Sequence, residues 1–129
     1  MATHAPIEQK SSIGAAGLRA FFRIAELWRL TNDQQIKLLN VPESTFFSWK
    51  KNQEHKRVSK DTLERISYVL GIYKNLQILL SDKDSACEWV SKPNKAPLFG
   101  GRSAIERMAG GNISDLYEVR RYLDAQVRG

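Results

Sequence analysis

Apolar residues recur at helical spacing along nearly the whole chain. In "LRAFFRIAELWRL" (residues 18–30), Leu18, Phe22, Ala25 and Trp28 fall on one face, and Phe21 and Ile24 widen it, which predicts an amphipathic helix. Thr31 follows as an N-cap, and Gln34 three residues later completes a capping box for a short helix ending at Leu39. Its inner side is read as Ile36 and Leu39. Asn40 tolerates the left-handed backbone of a sharp helix exit, and Pro42 suits the first turn of a third helix. Beyond the polar loop "KKNQEHKRV", Ser59 caps a helix carrying Leu63, Ile66, Val69 and Leu70, which Gly71 is expected to terminate.

Residues 72–80 read as a buried segment, and "SDKD" as the cap of a helix with Ala86, Trp89 and Val90. The longest break is "SKPNKAPLFGG", which holds two of the four prolines and two glycines. Two helices close the chain: "SAIERMA", stopped by Gly110 and Gly111, and "SDLYEVRRYLDAQV", expected to be capped by Ser114. Nothing alternates as a strand would, so the expected fold is all-α. Residues 1–17 read as a flexible N-terminal tail, 18–80 as one domain and 81–129 as a second.

Composition narrows the class. Of 129 residues, 42% are hydrophobic and 26% charged, which suits a globular chain. No stretch approaches the roughly 18–20 apolar residues of a membrane span, and the N-terminus lacks the apolar core of a signal peptide. A single cysteine, Cys87, forms no internal disulfide; it reads as a small buried hydrophobe and fits a cytoplasmic location. The net charge is +6, and its excess sits early: 12 Lys/Arg against 7 Asp/Glu up to Leu80, then 8 against 7. That distribution makes nucleic acid a plausible partner for the first part. His4 and His55 lie in the tail and the basic loop. No metal-spaced cluster, phosphate loop or nucleophile elbow is present, so no catalytic residue, metal or cofactor is assigned and the chain does not read as an enzyme.

The two short helices joined through Asn40, Val41 and Pro42 form a helix-turn-helix pattern. Leu30, Leu39, Asn40, Val41, Thr45, Phe46 and Trp49 carry a resemblance to the Xre/Cro-like DNA-binding family. Asn40 stands where that family usually has Gly, and Ile36 where it has Ala at the closest helix approach. On the recognition helix, Phe46 and Trp49 face inward, while Ser44, Thr45, Phe47 and Ser48 face outward. Hydroxyls read bases weakly, so shape or a paired subunit would have to add specificity. Phe47 has two readings, a contact with a thymine methyl or packing on a neighbouring loop or subunit. Lys50, Lys51, Lys56 and Arg57 lie where phosphates would be, or are simply solvated. Asn32 and the free N–H groups after Thr31 suit another phosphate.

The second half is more specific. Trp89, Pro93-Asn94, Leu98, Phe99-Gly100-Gly101-Arg102-Ser103, Met108, Gly111 and the run Val119–Ala125 closely resemble the C-terminal toxin-binding domain of Xre/MbcA/ParS antitoxins. Trp89, Leu98 and Ile105 are expected to form a small second core with Leu116 and Leu123. Ala104 replaces a frequent Pro, and many relatives continue past Arg128-Gly129 with a further Gly and Trp. The resemblance implies a type II antitoxin. Its last helix, with Arg120, Arg121, Tyr122, Asp124, Gln126 and Arg128, would dock on an NAD-using toxin of the RES or ParT-like kind and occlude its active site. It would also imply operator binding and autoregulation, and a homodimer is expected because one recognition helix of this chemistry binds weakly and two-fold sites suit paired helices. A stand-alone helix-turn-helix repressor without a toxin is the alternative.

Overall fold

The computed structural model of the chain describes residues 5–54 and 57–129, with side chains from Ile13 onward. Seven α-helices and one 3-10 turn make up the regular structure of these residues: α1 (Ala5–Leu27), α2 (Asn32–Leu39), α3 (Glu43–Lys51), α4 (Lys60–Leu79), α5 (Lys83–Glu88), the turn Trp89–Ser91, α6 (Ala104–Met108) and α7 (Ile113–Arg128).

Helix α1 begins well inside the segment expected to be a tail. Its buried stripe continues backwards from Trp28 through Ala25, Ile24, Phe21 and Leu18 to Ala15, so the helical period does not stop at Leu18. The helix ends earlier than expected, because Arg29 adopts a left-handed φ of 57°. The Leu30 N–H then reaches back to Ala25 O at 2.9 Å, and the Arg29 N–H to Glu26 O at 3.0 Å. Those two bonds form a Schellman exit, with an arginine where glycine is usual.

The capping box of α2 is present as read: Gln34 N–H donates to Thr31 Oγ1 at 3.1 Å, and Thr31 N–H to Gln34 Oε1 at 2.9 Å. Asn40 exits left-handed at φ 55°, its N–H on Ile36 O at 2.8 Å. The inner side of α2 differs from expectation. Gln35, Leu38 and Leu39 are buried, whereas Ile36 is only half-buried. The polar Gln35 is tolerated there because its amide donates to Leu30 O at 3.0 Å. Pro42 is the N-cap of α3 rather than part of its first turn.

Helix α4 runs unbroken past Gly71 to Leu79, so that glycine is not a terminator. Its missing side chain makes room for another helix: a Cβ there would collide with the Arg120 guanidinium of α7. Ser59 caps α4, and Thr62 Oγ1 donates to Leu39 O at 3.1 Å, tying α4 to the end of α2. Helix α4 packs against α1 on one side and α7 on the other, with α2 and α5 at its ends. The expected second core is therefore not separate. Ile105, Leu116 and Leu123 belong to one cluster with Leu18, Phe46 and Ile66, with Trp89 and Leu98 packed at its edge.

Between the 3-10 turn and α6 the chain doubles back. Asn94 Oδ1 accepts from Ala96 N–H at 2.9 Å, and Gly101 N–H donates to Asn94 O at 2.8 Å. Gly100 and Gly101, at φ 58° and 90°, permit the tight return. Ser103 and Glu106 then form a second capping box for α6. Helix α7 starts one residue before Ser114, which therefore is not its cap. Asn112 holds that position in extended conformation, without a side-chain bond.

Candidate functional site

The α2–α3 pair presents one face to solvent. Phe46 and Trp49 anchor α3 from inside at 0% and 7% exposure. Gln53 closes the helix end, its amide donating to Trp49 O at 2.7 Å and Lys50 O at 3.0 Å. Opposite the anchors lie Ser44, Phe47, Ser48 and Lys51, all exposed, while Thr45 sits half-buried on the flank. Phe47 is 43% exposed, and its ring meets Phe46 edge-on at 5.1 Å.

Two of the sequence-predicted residues come together. Lys50 Nζ donates to Asn32 Oδ1 at 2.7 Å and lies 5.6 Å from the Phe46 ring centroid. The start of α2 and the end of α3 therefore share one cation, held over an apolar ring. Lys50 and Arg29 also line an open cleft of ≈ 500 Å³ between α1 and this pair. Arg57 is exposed after α3, and Lys56 lies outside the described residues. Glu43, exposed as the first residue of α3, was not singled out from the sequence.

The last helix divides its six expected contact residues into two sets. Arg121, Gln126 and Arg128 are exposed. Arg120, Tyr122 and Asp124 are part-buried and hold α7 in place. Arg120 Nη1 donates to Ser67 O at 3.3 Å, over Gly71, and its Nε lies 3.8 Å from Asp124. Asp124 accepts from the buried Asn75 amide at 2.7 Å. Tyr122 meets Phe99 at 5.4 Å, and Phe99 meets Trp89 at 5.6 Å, both edge to face. One turn earlier Tyr117, 44% exposed, leans on Tyr68 at 5.9 Å. The Tyr68 hydroxyl donates to Glu64 at 2.8 Å, and that bond, with some burial and the carboxylate's charge, raises its pKa.

Arg65, which sequence reasoning passed over, joins the two halves. Buried to 4% exposure, it pairs with Asp61 at 3.0 Å and donates to Leu38 O at 3.5 Å and Gly111 O at 3.2 Å. One fork thus holds the end of α2 and the loop before α7. Among the described residues no group of three or more His, Cys, Asp or Glu could hold a metal ion, and no helix is long and apolar enough to cross a membrane. Cys87 is half-buried and free.

Two family models match this arrangement. The antitoxin Xre-like helix-turn-helix domain covers residues 10–71, and the antitoxin Xre/MbcA/ParS C-terminal toxin-binding domain covers 75–129. The chain belongs to the Xre/MbcA/ParS antitoxin family. This antitoxin-family chain is also 49% identical over 115 residues to an uncharacterized protein, y4oB, of Sinorhizobium fredii, spanning 88% of this chain and 86% of that one. Both family matches fall partly on α4. The first ends at Gly71, beneath Arg120, and the second starts at Asn75, which holds Asp124. Helix α4 thus falls within both the helix-turn-helix match and the toxin-binding-domain match.

Proposed function

We propose that the chain is the antitoxin of a type II pair, neutralising a cytoplasmic toxin that consumes NAD and repressing its own operon as a homodimer. The observation that carries this reading is the presence, on one continuous core, of a helix-turn-helix match and a toxin-binding match. In this reading residues 18–80 serve DNA and 81–129 serve the toxin, with α4 common to both supports.

Helix α3 enters the major groove, with Ser44, Thr45, Phe47 and Ser48 toward the bases. Lys50, Lys51, Lys56, Arg57 and Asn32 meet phosphates. Pairing two subunits offsets the weak readout of serine and threonine hydroxyls. The toxin takes the α7 end. Arg121, Gln126 and Arg128 make contact, while Arg120, Tyr122 and Asp124 fix the angle at which they are offered. Guanidinium forks match carboxylates and phosphates, which suits them to a place beside the NAD pocket of an ADP-ribosyltransferase-like enzyme of the RES or ParT kind.

The test is co-expression with the product of the neighbouring open reading frame, following growth and NAD level. Rescue that requires this chain, and is lost with Arg121→Ala plus Arg128→Ala, supports the reading. A neighbour that is harmless alone, beside a chain that still represses, would establish a stand-alone repressor instead. DNA affinity should fall steeply with salt, with a log–log slope of about −5 for roughly six phosphate contacts. Lys50→Met should flatten that slope by about 1.

A further inference from the structure

We propose that Phe47 is the residue by which α3 selects sequence, through the 5-methyl group of a thymine in each operator half-site. This inference rests on the DNA-binding reading above and names the chemistry read there. Between Ser44 and Ser48 the outward face of α3 carries no Arg, Lys, Asn or Gln, so that stretch lacks the bidentate donors that distinguish guanine or adenine. What it does carry is one large ring. Phe47 is 43% exposed, in contrast to the fully buried Phe46 beside it.

Ser44, one turn back, and Ser48, the next residue, end two bonds from their Cα atoms, whereas the phenyl ring projects several bonds farther. Of these three side chains the ring reaches farthest toward a groove floor. Its direction is also set. The edge-on contact with Phe46, at 5.1 Å and 73° between planes, rests on a side chain held inside the core. A phenyl ring with two rotatable bonds, one side already supported, loses little freedom on binding.

The major-groove edge of a base pair offers a phenyl ring one apolar partner, the thymine C5-methyl. Against guanine, adenine or the cytosine amine, the ring would displace water from donors and acceptors and return no hydrogen bond. The preference thus has an attractive part and a penalising part, both pointing to thymine. Burying one methyl group corresponds to about a fourfold change in affinity, and two half-sites to about fifteenfold.

The experiment uses the full chain and a fragment of the DNA upstream of its gene, with affinities measured at fixed salt. Each thymine is replaced singly by deoxyuridine, which removes the methyl and keeps base pairing and phosphate unchanged. In the wild type one position per half-site should weaken binding about fourfold. The same replacement should have no effect on Phe47→Ala and a reduced one on Phe47→Leu. A 5-methylcytosine·guanine pair at that position should bind more tightly than cytosine·guanine.

Normal salt-sensitive binding, with no deoxyuridine effect that disappears in Phe47→Ala, overturns the proposal while sparing the DNA reading. A Phe47→Ala chain that keeps its helicity but sediments as a monomer also overturns it, because the ring then belongs to a subunit contact. Absence of any salt-sensitive binding by the wild type removes the DNA reading, and this proposal with it.

Discussion

Gly71→Ala tests how α7 is seated. In a helix interior alanine is favoured over glycine by about 1 kcal/mol. At Gly71 the new Cβ would occupy the space of the Arg120 guanidinium, which would have to swing out. Arg120 would then give up its bond to Ser67 O at 3.3 Å and its 3.8 Å approach to Asp124. The side chain is 37% exposed, so the bond contributes about 0.5–1 kcal/mol and the ion pair a few tenths at most. The two effects nearly cancel, and Gly71→Ala alone should leave stability within about 0.5 kcal/mol of wild type.

In an Arg120→Ala background nothing has to move, and the same substitution should stabilise by about 1 kcal/mol. The cycle should therefore show a coupling of about 1 kcal/mol, near 0.5 M in urea midpoint for an ordinary slope. Urea unfolding followed by far-UV circular dichroism on the four chains measures it. If Gly71→Ala stabilises both backgrounds equally, Arg120 does not rest on Gly71, and its assignment as a support of α7 is wrong.

Arg65→Leu leaves Leu38 O and Gly111 O without their donor and should cost about 3 kcal/mol, seen as a large drop in urea midpoint. Arg65→Lys should recover only part, since one ammonium does not span the fork. Arg29→Gly relieves a left-handed arginine and should raise stability by about 0.5–1 kcal/mol, a rise of a few degrees in melting temperature. The Asp82 carboxyl is held below its ordinary value by the Ser85 hydroxyl and backbone N–H. Its contribution is thus present above the unfolded value near 4, and is lost as pH falls through the lower folded value. Asp82→Asn should flatten the acid limb below about pH 4 and leave neutral stability almost unchanged, because asparagine also caps. An acid limb identical to wild type would contradict that.

Local chemistry was legible in the sequence. Thr31 with Gln34 is readable because both partners of the bond lie within four residues, and the same holds for Asn40 at its left-handed exit. The inward positions of Phe46 and Trp49 followed from helical spacing alone. Long-range contacts defeated the reading. Gly71 looks like a stop in isolation; its purpose is set by Arg120, whose anchor Ser67 lies 53 positions away. Arg65 was passed over, because its carbonyl partners on Leu38 and Gly111 carry no side-chain signature. The start of α1 was missed because glycines and serines dilute the apolar stripe that continues to Ala15. In the candidate site, sequence found the exposed face of α3. It did not separate, on α7, the residues that face outward from those that bind the helix down.

Helix α4 is the beam under both proposed activities, and its inner residues Ile66, Val69, Ile72 and Leu76 are buried in a core to which both halves contribute. Neither half can be lost while the other stays intact. A protease that captured this chain in an open moment would release promoter and toxin in the same event. Under the proposed function, gene silencing and toxin restraint then share one lifetime, set by the unfolding of a single helix bundle.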